Sequence, residues 1–217
     1  MRLILLGPPG SGKGTQAAVL SRRWGAPHVS TGEIFREAIR SDSELGSKVR
    51  RYTETGELVP DEIVNEIVFD RLARRDCQEK GFLLDGFPRT VAQARALDGW
   101  LADRGDGIDR VVDFEIGDEE LIRRLSGRRH CEKCGRDYNI VFRPPRNAGL
   151  CDVCSGRLVA RKDDSPESIR RRLEVTTETL NPLRDYYHAK GLVFAIDATG
   201  DVQEITEVLL AELGCAK

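Results

Sequence analysis

Residues 3–15 read Leu-Ile-Leu-Leu-Gly-Pro-Pro-Gly-Ser-Gly-Lys-Gly-Thr. Leu3 to Leu6 are a short apolar run, the mark of a buried strand. Gly7, Gly10, Gly12 and Gly14 then turn the chain, with Lys13 among them, and from Thr15 the pattern becomes helical. Strand, glycine loop and helix start make a phosphate cradle. The glycines let backbone N–H groups converge on one oxyanion, the helix N-terminus adds its positive end, and Lys13 adds a full charge. The stretch predicts a nucleotide site. One detail departs from the general pattern, which places Ser or Thr directly after the Lys: here Gly14 follows, and Thr15 comes one position later.

Outward from this loop, strand and helix patterns alternate, which predicts an α/β fold with a parallel sheet. Strands are expected at 2–6, weakly at 28–29, and at 82–84, 110–116 and 192–196. Helices are expected from the loop to about Trp24, from the Ser30-Thr-Gly-Glu33 capping pattern through Arg40, and over 43–54 with Gly56 as stop. Others start at Pro60, cover 90–103, run from an Asp118 cap to about Ser126, and follow Ser165-Pro166 and Asp201. Pro182 should kink or end the long helix after Ser165. Phe82 to Leu84 reads as a buried strand ending in the carboxylate of Asp85. In open α/β sheets ligands bind outside the carboxyl ends of strands, so the glycine loop and Asp85 can face one crevice.

The chain has 217 residues, one domain or one domain with an insertion. No apolar run approaches the ~20 residues that span a bilayer. The four-residue apolar start is too short for a signal peptide, and a cytoplasmic location is expected. Net charge is −2, yet residues 121–172 hold fourteen Lys or Arg against six Asp or Glu. Such a basic segment on an acidic body predicts an anionic ligand there, and its arginines suit bidentate phosphate contacts.

Segment 128–162 breaks the alternation and reads as an insertion. Within it Cys131, Cys134, Cys151 and Cys154 form Cys-x2-Cys-x16-Cys-x2-Cys. This spacing fits a four-thiolate zinc site, closed to water and hence structural. The segment has few large apolar residues, so the metal would supply its folding energy. A disulfide pair or redox dithiol is the competing reading. His130 beside the first pair reads as a bystander, and Cys77 and Cys215 as free thiols. An arginine-rich zinc ribbon could also bind nucleic acid, but it is embedded in an α/β pattern and offers only Tyr138 and Phe142 as aromatics between the cysteine pairs.

Several motifs in order carry a resemblance over nearly the whole length: Gly7–Thr15, Ser30-Thr-Gly-Glu33, Leu84-Asp-Gly-Phe-Pro-Arg89, Gly127-Arg-Arg129, the four cysteines, and Arg161-Lys-Asp-Asp164 with Arg172. The chain resembles adenylate kinases of the nucleoside monophosphate kinase family, of the long bacterial type with a zinc-bearing lid. The resemblance implies a P-loop three-layer sandwich around a five-stranded parallel sheet. It implies a core of residues 1–127 and 163–217, an acceptor-binding helical segment at about 30–60, and a zinc-ribbon-like lid at 128–162.

The implied reaction is ATP + AMP ⇌ 2 ADP in a monomer, with magnesium as cofactor and no nucleic-acid or membrane partner. Magnesium in this family is held mainly through phosphates and waters, with a carboxylate such as Asp85 in the outer shell, so Gly14 is no obstacle. The resemblance implies catalytic roles for Lys13, Asp85, Arg89, Arg128, Arg161 and Arg172. It places ATP on Gly10, Ser11, Gly12, Lys13, Gly14, Thr15, Arg124, Arg128, Tyr138 and Gly200. It places AMP on Thr31, Arg36, Glu57, Val59, Gly86, Arg89, Gln93, Arg161 and Arg172. Asp163 and Asp164 are expected to orient the lid arginines through ion pairs, while Arg129, Arg170 and Arg171 read equally well as surface. Kinases for other monophosphates (CMP, UMP, GMP) are the nearest alternative, and a zinc-ribbon nucleic-acid-binding ATPase a remote one.

Overall fold

The computed structural model describes residues 1–214 of the chain, so Cys215 lies outside the described residues. Five parallel strands form the central sheet: β1 (Arg2–Leu6), β2 (His28–Ser30), β3 (Phe82–Asp85), β4 (Arg110–Glu115) and, later in the chain, a strand at Val193–Asp197, in spatial order β2, β3, β1, β4 and Val193–Asp197. Register pairs Leu5 of β1 with Asp85 of β3 and with Val112 of β4. β1 is thus central, and the connections leave it in both directions. The crevice of such a sheet opens above the carboxyl end of β1, where the glycine loop begins.

Helices cover both faces. Leu3 and Leu5 pack with Ala17 and Leu20 of α1 (Lys13–Trp24), while Ile4 and Leu6 belong to the opposite cluster with Val68, Leu72 and Leu97. Both parities of β1 are therefore buried, which is why its sequence is a continuous apolar run and not an alternating one. The second face is covered by α4 (Asp61–Leu72), α6 (Val91–Ala102) and part of a long helix described below. α2 (Thr31–Arg40) and α3 (Glu44–Thr55) pack on each other close beside the crevice. Ala38 carbonyl oxygen lies 2.2 Å from where a Cβ on Gly46 would sit, so only glycine lets these helices approach.

α5 (Arg75–Lys80) and α7 (Asp118–Ser126) complete the first half. α5 was not anticipated: six residues give no readable period. Asp118 is the first residue of α7 and not its cap, which is Gly117. Beyond α7 a separate three-stranded antiparallel sheet forms from β5 (Arg128–Cys131), β6 (Asp137–Asn139) and β7 (Leu158–Val159), in order β6, β5, β7. Its strands are too short to show alternation in the sequence. A single 3-10 turn (Lys162–Asp164) then leads into α8 (Pro166–His188), whose Ser165 cap accepts from Ser168 N at 3.1 Å.

Pro182 does not end α8, which continues to His188. Leu180, Leu183 and Tyr187 are buried around that position, so packing outweighs the lost backbone bond. Two residues beyond Pro182, Arg184 forms a two-point pair with the buried Asp113 of β4, Nε to Oδ2 at 2.6 Å and a second N–H to Oδ1 at 3.0 Å. β8 is the sheet strand at Val193–Asp197, and α9 (Val202–Glu212) follows with a complete capping box between Asp201 and Glu204. The Ser30 pattern forms only half such a box, with Ser30 Oγ accepting from Glu33 N at 3.4 Å.

Candidate nucleotide site

The loop after β1 needs glycine for two distinct reasons. Gly7, Gly10 and Gly12 have φ of 134°, 90° and 96°. Gly14 has ordinary backbone, but a Cβ there would lie 3.2 Å from Asp85 Oδ2. Close approach of β3's terminal carboxylate thus accounts for the glycine where the general pattern carries a hydroxyl. Gly12 caps α1 without any side-chain hydrogen bond, and among the described residues the N–H groups of residues 12–15 meet no protein acceptor. Those unpaired donors, at the positive end of a helix, form an anion site. Lys13 folds over the loop, donating to Gly7 O at 2.8 Å and Pro8 O at 2.7 Å. Burial lowers its pKa to about 8, only partly offset by the charge of Asp85.

At the end of β3, burial would push the Asp85 carboxyl up, but a hydrogen bond with His28 and the charge of Lys13 hold it below the usual range. His28 Nε2 lies 3.4 Å from Asp85 Oδ2. Arg89 follows three residues after Gly86 and donates Nε to Gly86 O at 2.9 Å. Its side chain is exposed at the cleft surface, yet protein walls surround it at longer range and lower its pKa, with Asp85 and Asp163 opposing. Arg36 on α2 is half-buried; burial, then the nearby Arg161, bring its pKa down to about 10. Among the described residues neither Arg36 nor Arg89 has an ion pair with a carboxylate.

A second set of arginines lining the same cleft is arranged differently. Arg128 forks onto Asp164, Nε to Oδ2 at 2.6 Å and a second N–H to Oδ1 at 2.5 Å. Burial alone would lower its pKa, but the Asp164 bonds raise it. Arg172 bridges Asp163 Oδ2 at 3.1 Å and Asp164 Oδ1 at 3.3 Å, while burial and Arg128 hold its pKa near 10. Arg161 pairs with Asp137, and Arg124 donates to Glu120 at 2.9 Å. One cleft of about 2090 Å³ joins both sets, lined by the loop, Asp85, Arg36, Arg89, Arg124, Arg128, Arg161 and Arg172. A pocket for one small molecule takes roughly 300–1,000 Å³, so this cleft has room for two.

At the end of β5 and in the turns that connect the three-stranded sheet, the Sγ atoms of Cys131, Cys134, Cys151 and Cys154 all lie within 4.8 Å of one another. Cys131–Cys154 and Cys134–Cys151 are 3.4 and 3.6 Å apart, too far for S–S bonds of ~2.05 Å and close to the ~3.8 Å edge of a tetrahedron with Zn–S of ~2.3 Å. The geometry fits one thiophilic ion held by four sulfurs and speaks against the disulfide reading. His130 is not among the four.

Comparison with known proteins agrees with this geometry. The family model described as adenylate kinase matches residues 5–192. A protein of Caldicellulosiruptor bescii named adenylate kinase is 51% identical over 214 residues, covering 99% of both chains. Similarly named proteins of Caldicellulosiruptor saccharolyticus and Carboxydothermus hydrogenoformans are 50% and 49% identical, the first covering 99% of both chains, the second 94% of this chain and 95% of its own. The chain belongs to the adenylate kinase family.

Most residues expected to hold nucleotides in an adenylate kinase line the common cleft: Gly10 through Thr15, Gly86, Tyr138 and Gly200 besides those already named. Four do not. Thr31 is buried and donates to Gly86 O at 2.9 Å; Gln93 is buried, accepting from Arg89 N and donating to Asp61, both at 2.7 Å. Both brace the turn that carries Arg89. Gly56 and Leu58 line the cleft where Glu57 and Val59 were expected. Tyr138 reaches the cleft, but its hydroxyl is committed to Cys151 Sγ at 3.3 Å and Asp152 N at 2.8 Å. Arg170 and Arg171 are exposed and Arg129 bonds its own turn, in keeping with a surface reading.

Sequence reasoning missed His28, which faces Asp85, Asp137, which pairs with Arg161, and Asn139, whose Nδ2 donates to Arg124 O at 2.8 Å while its Oδ1 closes its own turn by accepting from Val141 N and Phe142 N. None carries a motif, and each acts through a partner distant in the chain or on a neighbouring element.

Proposed function

We propose that this adenylate kinase family member catalyses ATP + AMP ⇌ 2 ADP. The observation that carries this reading is the single cleft with a phosphate loop at one side and two arginines without carboxylate partners, Arg36 and Arg89, at the other. Two anions must meet there. Phosphoryl transfer asks little covalent chemistry of a protein; it asks for in-line positioning, charge neutralisation and exclusion of water.

The residues divide these tasks. Backbone N–H groups of residues 12–15 and the Lys13 ammonium hold the donor's β- and γ-phosphates. Arg36 and Arg89 clamp the phosphate of AMP, whose oxygen attacks the γ-phosphorus as the bridging bond to the β-phosphate breaks. Arg128, Arg161 and Arg172 surround the moving phosphoryl group, and Arg124 lies against the donor adenine. The ionised Asp85 suits outer-shell water ligands of magnesium, which when bound supplies charge neutralisation between the phosphates. Thr31 and Gln93 take part through the turn they brace, with AMP's base entering beside Gly56 and Leu58.

Residues 1–127 and 163–217 form the core of this reading, 30–60 the acceptor segment and 128–162 a lid that shuts water out, since an open site would hydrolyse ATP. Zinc is the proposed occupant of the four thiolates, with a folding role only. No described helix is long and apolar enough to cross a membrane. A cytoplasmic monomer is the proposed state, checked by fractionation and by sedimentation.

The deciding experiment mixes ATP and magnesium with AMP, CMP, UMP or GMP and measures ADP. ADP formation with AMP at a kcat/KM far above the others is expected; preference for another monophosphate would transfer the reading to that kinase. The nucleic-acid reading is not favoured, and a salt-sensitive gel shift with single- or double-stranded DNA would be needed to revive it.

A further inference from the structure

The roles above leave Asp61 unused, yet it anchors the turn that carries Arg89. It is the first residue of α4, directly after the proposed acceptor segment, and it is half-buried. Its Oδ1 accepts from Gln93 Nε2 at 2.7 Å, and its Oδ2 from the Thr90 hydroxyl at 2.8 Å. Gln93 is 1% exposed, and its Oε1 accepts from Arg89 N at 2.7 Å. Thr90 caps α6, its Oγ1 accepting from Gln93 N at 3.1 Å. A carboxylate at the start of one helix thereby reaches the backbone of Arg89 just before another.

The groups involved give this chain of bonds a direction. A carboxylate only accepts and a backbone N–H only donates, so one orientation of the Gln93 amide satisfies both, NH2 toward Asp61 and oxygen toward Arg89. Turned over, the amide would set donor against donor at Arg89 and acceptor against acceptor at Asp61, leaving two bonds unmade in a buried place. Asp61 therefore holds the amide, and the amide holds the Arg89 backbone. At the other end of the turn Gly86 O accepts from the Thr31 hydroxyl and from Arg89 Nε, both at 2.9 Å. The turn is held at both ends, and Arg89 meets the cleft with its root fixed.

We propose that Asp61 is a positioning residue for the acceptor phosphate: it fixes the Gln93 amide and, through it, the direction in which Arg89 enters the cleft. Neither Asp61 nor Gln93 lines the cleft, so the effect passes through Arg89. The inference rests on the reading of Arg89 as the clamp on AMP. An acid in the first turn of α4 has a plainer role as well, attraction to the positive helix end. The two roles differ in what asparagine can replace. Asp61→Asn loses the charge, and with it the attraction to the helix end. It keeps an oxygen for Gln93 Nε2, and its NH2 can donate to Thr90, since a hydroxyl accepts as well as donates. Asp61→Ala loses both.

The test measures the KM for AMP and for ATP in Asp61→Ala, Asp61→Asn, Gln93→Leu and the double variant Asp61→Ala with Gln93→Leu. Melting curves first show that each folds, and Asp61→Leu, of nearly the native size, replaces the alanine variant if that one does not. Expected for Asp61→Ala is a rise of about tenfold in the KM for AMP, with the KM for ATP within about twofold. Asp61→Asn stays within about twofold for both nucleotides. The double variant is no worse than Gln93→Leu alone, because a residue acting through Gln93 adds nothing once the amide is gone. In the nucleotide-free protein the amide proton resonance of Arg89 moves in Asp61→Ala and keeps its place in Asp61→Asn. Equal rises for both nucleotides, an asparagine variant as impaired as alanine, or additive losses in the double variant would overturn the inference. Should Arg89→Ala leave the KM for AMP unchanged, the reading of Arg89 as the clamp fails instead.

Discussion

Two sets of arginines in the cleft are held in opposite ways. Arg128, Arg161, Arg172 and Arg124 each lean on a carboxylate: Asp164, Asp137, the Asp163–Asp164 pair and Glu120. Arg36 and Arg89 lean on none among the described residues. A guanidinium that is already paired is fixed in direction before a ligand arrives, at the cost of part of its attraction for that ligand. An unpaired one keeps its full attraction for an incoming anion. The paired set is suited to orienting around a group that moves; the unpaired set is suited to capturing an anion and keeping it.

The largest test of that contrast is removal of an unpaired group. Arg89→Ala should lower kcat/KM for AMP by about 10²–10³-fold and leave calorimetric binding of ATP alone close to unchanged. Equal losses for both nucleotides would erase the distinction between the two sets. Lys13→Met should cost a similar factor, with the weakening on the ATP side.

Breaking a paired group should instead show in the fold. The Asp164 carboxylate is 2% exposed and serves both Arg128 and Arg172. Asp164→Asn leaves two guanidiniums under-compensated and should reduce unfolding free energy by about 3 kcal/mol in urea titrations. A stable but inactive variant would mean that the pairing serves chemistry alone.

Next in size is the metal. Cys131→Ser, or a chelator, should lower the melting temperature by about 5–10 °C, while activity at low temperature falls less. Analysis of the purified protein should find one zinc per chain.

The smallest expected effect concerns protons. Lys13 has a pKa of about 8 in the empty site, depressed from 10.5. The unfolded chain therefore holds more protons than the folded one between those values, and this group's burial penalty is relieved as pH rises through that window. Phosphates restore the higher pKa, so ATP binding near pH 8.5 should take up a fraction of a proton through Lys13, a contribution that vanishes near pH 6.5. Binding heats in two buffers of different ionisation enthalpy measure this; no buffer dependence at pH 8.5 would mean that Lys13 stays charged throughout.

The sequence made one class of feature readable and hid another. Leu3–Leu6, the glycines and Asp85 were legible because strand burial, loop geometry and the sheet's carboxyl edge each leave a local pattern. The cysteines were legible because a tetrahedral shell fixes its spacing. His28 beside Asp85, Asp137 on Arg161, and Asn139 between its turn and α7 were hidden, because they are long-range pairings with no period of their own. Gly56 and Leu58, the neighbours of Glu57 and Val59, line the cleft, a placement with no local pattern in the sequence. Pro182 does not end its helix because the local rule about the missing N–H met a buried face that holds the helix together.

That same helix has a metric consequence. α8 carries Arg172 near one end and, twelve residues on, Arg184 bonded to Asp113 in the heart of the sheet. A straight helix converts twelve residues into about 18 Å and a fixed rotation. It therefore works as a ruler, anchored at Asp113 and read out at Arg172. One residue inserted between the two positions would turn the guanidinium by about 100° around the axis without touching any residue in the cleft.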